Sequence, residues 1–305
     1  MNKKISVIMS TYGKSQYLDE AIKSILTQSC QNFEFIIVND FADKLTKKKL
    51  YDFKKKDPRI KIINNKKNLG LTKSLIKAIN SAKGEFIARI DSDDFSEKDR
   101  LKLQLEWFEK SKKRVLCGTN FFVLNDSGDL LKKNVLNDHK SIKKNMIYKN
   151  CFVHSSTMFK LNTYKKIGGY NKIFKFSQDY ALWSRFIHEG EVGNLKKRLT
   201  FIRNHKKSVS HLKSIEQTMS SILISCDNYH FMKKKKFLKF KKGQINFRCV
   251  EKILILKNFL KSMIFLNRKK LKNIYKVSLY SLSFESLIHC LKQPKMFLYN
   301  LYYFK

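Results

Sequence analysis

The chain has 305 residues, 43% of them hydrophobic, enough to bury the core of one large domain or of a domain with an appendage. Its formal net charge of +39 implies attraction to something polyanionic: nucleic acid, an anionic membrane surface or phosphorylated substrates. Six scattered cysteines make no CxxC pair or zinc-like cluster, no apolar run approaches the roughly 18 residues of a spanning helix, and the apolar strand behind Met1-Asn2-Lys3-Lys4 is too short for a signal-peptide core. These features predict a reduced, cytoplasmic setting.

Ile5–Met9 reads as a buried strand, and Ser10–Gly13 turns the chain. Ser15 can cap a helix with apolar Leu18, Ala21, Ile22, Ile25 and Leu26. Phe33–Val38 is a second strand ending in Asn39-Asp40. A lysine-rich helix runs through Phe53, Pro58 breaks it, and Ile60–Ile63 makes a third strand. The polar loop Asn64–Leu71 enters a helix carrying Leu75, Ile76 and Ile79, which ends around Gly84. Strand–helix alternation of this kind predicts a mostly parallel, doubly wound α/β sheet with right-handed crossovers.

The next stretch, Phe86-Ile87-Ala88-Arg89-Ile90-Asp91-Ser92-Asp93-Asp94, is an apolar strand that ends in three carboxylates. Such a strand end is where α/β sheets bind ligands. Crowded carboxylates repel one another unless a cation neutralises them, and hard oxygen donors favour Mg²⁺ or Mn²⁺ over zinc. The plainer alternative is a strand followed by a helix N-terminus, with Ser96 and Glu97 serving the next helix.

A helix is expected from Glu97 to Lys110, then strands at Val115–Asn120 and Phe121–Leu124, a turn at Asn125–Asp129 and a helix from Ile142 to Tyr148. His154–Phe159 reads as a short strand and Ile167–Asn171 as a turn. Ser177 reads as the N-cap of a helix through Ile187, which puts Asp179 in its first turn, where the helix dipole favours a carboxylate. Leu199–Arg203 reads as a final strand. From about residue 215 the character changes. A helix is expected over 215–232, followed by the basic block Lys233–Lys236. An apolar stripe of Ile253, Leu256, Leu260, Met263 and Ile264, interrupted by lysines, then has the composition of a basic amphipathic helix. That tail either binds an anionic membrane or packs as ordinary helices. The expected organisation is a catalytic domain over 1–212 and a basic helical extension over 213–305.

Taken together, Ser6–Tyr12, Ser24–Gln28, Phe33–Asp40, Asn68-Leu69-Gly70 and Ala88–Asp94 resemble, in order, the motifs of family 2 glycosyltransferases. These are inverting enzymes with the GT-A fold. The chain departs from the family at Gly13, where Asn is usual, and at Asn39-Asp40-Phe41-Ala42, where Asp-Asp-Gly-Ser is usual. The resemblance implies a UDP-sugar donor, a saccharide or lipid-linked saccharide acceptor and a Mn²⁺ or Mg²⁺ cofactor. It implies that Thr11, Tyr12, Asp40, Asn68, Gly70 and Asp91 border the donor nucleotide, with Asp40 accepting from the base, and that Asp93 reaches the metal. Asp179 matches the catalytic base of the family's Glu-Asp pair, with Gln178 in place of Glu. Arg203-Asn204-His205 looks like the family's Arg-x-His segment, which places a cation near the diphosphate.

His154 either faces the leaving group or acceptor or is a hydrogen-bonded structural histidine. Peripheral association with the inner face of the cytoplasmic membrane follows from the family's lipid-linked acceptors and the basic tail. Two other readings compete. One is a nucleic-acid-binding protein, against which stand the spread of basic residues and the absence of RNP, zinc-finger or helix-turn-helix patterns. The other is a catalytically silent scaffold of the same fold.

Overall fold

The computed structural model describes residues 4–13 and 16–204 and, beyond them, 217, 220, 221, 223–225, 227, 228, 231 and 232. The expected cap Ser15, His205, the Lys233–Lys236 block and the stripe from Ile253 to Ile264 lie outside these residues. Two compact units divide the chain: Met1–Asn145 with Asn150–Ser208, and Met146–Lys149 with Val209–Lys305.

In the first unit, β1 (Ile5–Gly13), β2 (Phe33–Ala42), β3 (Ile60–Asn64) and β4 (Phe86–Arg89) pair in parallel, with β1 between β2 and β4. Helices α1 (Leu18–Leu26), α2 (Lys44–Lys56) and α3 (Leu71–Asn80) make the crossovers. The strands read as unbroken apolar runs because both faces are covered. Ile5, Val7, Phe33, Phe35, Ile37, Phe86 and Ala88 share one core cluster with Leu18, Ile22 and Ile25 of α1. The alternate residues Ile8, Ile36, Val38 and Ile87 are equally buried. Gly84, two residues before β4, must be glycine for close packing, since a Cβ there would lie 2.5 Å from the Ser6 amide nitrogen.

The rest of the sheet mixes directions. Strand β5 (Phe95–Ser96) is followed by α4 (Arg100–Glu109), β6 (Arg114–Asn125), β7 (Leu130–Lys133), α5 (His139–Asn145), β8 (Met158–Lys160), α6 (Leu161–Lys166), α7 (Gln178–Phe186) and β9 (Glu191–Asn204). The order is β3-β2-β1-β4-β8-β6-β9-β5, with β7 on β6. β8 runs antiparallel to both β4 and β6, while β6 and β9 are parallel.

Several boundaries differ from the sequence reading. The strands expected at Val115–Asn120 and Phe121–Leu124 are one strand, β6, since no turn residue separates them. α4 starts at Arg100 rather than Glu97, because Phe95–Ser96 pairs with β9. His154–Ser156 is a single 3-10 turn, not strand. There Ser156 Oγ donates to the Val153 carbonyl at 2.8 Å and Thr157 Oγ1 to the His154 carbonyl at 2.8 Å, local bonds that compete with a strand ladder. Ser177 does precede α7, but with φ 52° and no side-chain cap.

In the second unit every described residue between 217 and 232 is helical. Ser225 Oγ donates to the Ile147 carbonyl at 2.6 Å and Asn228 Nδ2 to the Met146 carbonyl at 2.9 Å. The helix expected through Tyr148 stops at Asn145, and these carbonyls serve side chains instead. Among the described residues no helix is long and apolar enough to cross a membrane.

Glu34, the second residue of β2, anchors that end of the sheet. It is 1% exposed and accepts from Ser6 Oγ, Lys61 Nζ and the Lys83 amide, each at 2.6 Å. Burial opposes its ionisation, yet Lys61, Ser6 and Lys83 hold the carboxyl below its ordinary 4.5. Its contribution is therefore complete above that value and is lost as pH falls below it. Glu34→Ala strands buried donors and is expected to cost about 3 kcal/mol in denaturant unfolding at pH 7. A cost under about 1 kcal/mol would contradict this role.

Candidate active site

Parallel β1, β2, β3 and β4 end on one edge of the sheet. β2 and β4 flank β1, so Asp40 and Asp91 project from strands about 10 Å apart. Asp40, 2% exposed, organises the first half of this edge. Its Oδ1 accepts from Asn65 Nδ2 at 2.8 Å and the Leu69 amide at 2.7 Å, and its Oδ2 accepts from the Gly70 amide at 2.8 Å. A carboxylate has about four acceptor positions, so one remains on Oδ2. Asn68 Oδ1 shares the Gly70 amide at 2.8 Å. Gly70, at φ 83°, precedes α3 in a backbone geometry that side chains resist. Asp40, Asn68 and Gly70 thus form one polar corner.

Thr11 and Tyr12 lie alongside, at the end of β1. Thr11 pairs with Asn39 in register. Its hydroxyl is buried with no hydrogen-bond partner, an unmet requirement that a ligand can satisfy. Tyr12 is 61% exposed.

The acidic turn forms the other half. Carboxylate oxygens of Asp91, Asp93 and Asp94 lie within 4.8 Å of one another. Arg89, 1% exposed, forks onto both oxygens of Asp91. Arg89 Nη1 also donates to Ser155 Oγ at 2.7 Å, and the Asp91 amide donates to the same oxygen at 3.1 Å. The single Ser155 proton serves Asp94 or Asp91. Burial, then the charges of Asp93 and Asp91, push the Asp94 carboxyl well above the usual range. Asp94 also accepts from the Arg203 amide at 3.0 Å. Asp94 thus ties the turn to β9, and α4 begins only at Arg100.

Asp179 is the second residue of α7, behind buried Gln178. Burial pushes its carboxyl up, against the Tyr180 amide, the charge of Arg89 and a 2.7 Å hydrogen bond from Asn150 Nδ2. Burial above all pushes the Tyr170 hydroxyl up; Arg89 opposes this, and Asp179 and Asp91 add to it, so the acidic turn and the α7 start share one electrostatic environment. His154 Nε2 lies 2.6 Å from the Tyr170 hydroxyl. Burial and the nearby Arg89 hold its imidazole well below the ordinary value, hence neutral. Arg203 turns its guanidinium to Glu20 and lies 4.2 Å over the Tyr17 ring.

Sequence reasoning missed Arg89, Ser155, Asn150 and Tyr170. Arg89 carried a signal, an arginine inside an apolar strand, since buried arginine is nearly always paired. The other three did not, because their partners lie 64, 29 and 16 residues away.

The family model described as "Glycosyl transferase family 2" matches residues 6–166. The O-antigen biosynthesis glycosyltransferase WbnJ of Escherichia coli is 33% identical over 244 residues, covering 77% of this chain and 92% of WbnJ. Among solved structures, S. aureus TarS 1-349 in complex with UDP-GlcNAc is similar with a TM-score of 0.62 at 16% identity, covering 94% of this chain and 79% of that one. The mannosyltransferase PcManGT from Pyrobaculum calidifontis, in complex with GDP-Man and Mn²⁺, has a TM-score of 0.56 at 13% identity, covering 77% and 66%. At these identities the structural likenesses speak for the fold.

Proposed function

Because the chain belongs to glycosyl transferase family 2, we propose that this enzyme moves a hexose-type sugar from a UDP-sugar to a hydroxyl of a saccharide or lipid-linked saccharide in surface-glycan assembly, with inversion. One observation carries the reading: the Asp40 corner and the Asp91–Asp94 turn share a sheet edge, about the span of a nucleoside diphosphate. The buried, partnerless Thr11 hydroxyl on that edge supports it. Thr11, Tyr12, Asp40, Asn68 and Gly70 hold the nucleoside, and the last acceptor position of Asp40 takes a base N–H. Asp91, fixed by Arg89, faces the ribose side.

The donor set fits a hard divalent cation, since three carboxylates converge. Asp91 is committed to Arg89, and Asp94 to Ser155 and Arg203. Asp93, the last Asp of the Asp91-Ser92-Asp93 motif, would be the principal ligand, with Asp91 and Asp94 beside it. A Mn²⁺ or Mg²⁺ held there would supply positive charge to neutralise the departing diphosphate. Asp179 accepts the proton of the acceptor hydroxyl as its oxygen bonds to the anomeric carbon and the bond to the diphosphate breaks, its electron pair leaving with UDP. One displacement inverts the centre. Gln178 orients the acceptor. The basic tail holds the enzyme at an anionic cytoplasmic surface, where each lysine contributes about 1 kcal/mol. Deletion of 233–305 that leaves sedimentation with anionic vesicles unchanged would refute that last point.

The test is a screen of UDP-sugars with Mn²⁺ for UDP release, followed by NMR assignment of the product anomer. Turnover with an inverted anomer is expected. Retention of configuration, or inertness towards every nucleotide sugar, would overturn the reading. Inertness with intact UDP binding would favour the silent scaffold.

A further inference from the structure

We propose that Phe41 is a donor-binding residue whose ring stacks on the planar base of the nucleotide donor. The proposal rests on the nucleotide-donor reading above and goes beyond it in assigning a residue of this chain to the base. Phe41 directly follows Asp40. Its backbone sits at φ 69°, in the left-handed region where a bulky side chain is strained. Its ring is 60% exposed.

Neither feature benefits the free protein. Glycine would adopt this backbone without strain, and a side chain left 60% exposed gains little from burial. Strain retained beside a binding corner has its compensation in the complex. The register between β1 and β2 shifts after Thr11↔Asn39 and resumes at Gly13↔Ala42. Tyr12 alone therefore stands opposite Asp40 and Phe41. That bulge places two exposed aromatic residues, Tyr12 and Phe41, next to a buried carboxylate that has one acceptor position left. A planar heterocycle with an N–H on its edge matches this chemistry: faces for the rings, a donor for the carboxylate. Aromatic side chains stack on bases in this way without a demand for one base.

The experiment titrates UDP and inorganic pyrophosphate, each with Mn²⁺, into wild type, Phe41→Gly and Phe41→Asn by calorimetry. Both substitutions accept the backbone geometry, so both are expected to melt no lower than wild type. UDP affinity is expected to fall about tenfold in both variants, while pyrophosphate affinity stays unchanged, since it carries no base. Wild-type UDP affinity in the variants would overturn the proposal. So would an equal loss for pyrophosphate, or loss of binding to anionic vesicles with UDP affinity intact, which would assign the ring to a membrane. A wild-type protein that binds pyrophosphate and no UDP would refute the nucleotide reading itself, and the Phe41 assignment with it.

Discussion

Asp179→Asn is expected to lower turnover at least about a thousandfold while UDP-sugar affinity stays within about twofold. Asparagine keeps the shape of the side chain and its place beside Asn150, 2.7 Å away, but cannot take a proton. Burial raises the carboxyl of Asp179 above its ordinary 3.8. Below its folded value the group is protonated and cannot act as base. The wild-type rate therefore falls as pH drops through a point above 3.8, and Asn150→Ala, by removing a bond to the charged form, moves that limb to higher pH. A raised carboxyl also means that the charged form costs the fold stability at neutral pH. Asp179→Asn should accordingly melt no lower than wild type. Turnover near the wild-type level in this variant would remove Asp179 from the mechanism.

Arg89→Met is expected to cost about 3 kcal/mol in denaturant unfolding at pH 7 and to abolish activity. It leaves Asp91 without the cation that forks onto it, and removes the shorter of the two hydrogen bonds donated to the Ser155 hydroxyl. The figure is the low end for a broken buried pair, because Asp91 is 34% exposed and water can reach it. Arg89→Lys restores charge but not the planar two-point contact, and should recover stability more than activity. The penalty should shrink as pH falls and the carboxylates protonate. A loss under about 1 kcal/mol for Arg89→Met would contradict the view that this arginine holds the acidic turn together.

The alternation of strands and helices was legible because β1, β2 and β4 are covered on both faces and so are written as unbroken apolar runs. The second half of the sheet was less legible. β9 begins at Glu191, eight residues before its apolar part at Leu199, and exposed Lys196 and Lys197 hide that start. The direction of β8 leaves no mark in its three residues. Within the site, Asp40, the Asp91–Asp94 turn and Asp179 were readable as acids at element ends. Their supports were not. Ser155 and Asn150 are ordinary polar residues until the fold carries them to Asp91 and Asp179. The strain at Phe41 is likewise a property of backbone geometry that composition does not express.

The central claim is that the acidic turn and the Asp40 corner form one metal-dependent donor site. Calorimetric titration of UDP into wild type and Asp93→Ala, each with Mn²⁺ and with a chelator, tests it most directly. The account predicts that Mn²⁺ strengthens UDP binding in the wild type and has no effect in Asp93→Ala, whose metal-free affinity matches that of the wild type. Equal strengthening by Mn²⁺ in both proteins would contradict it.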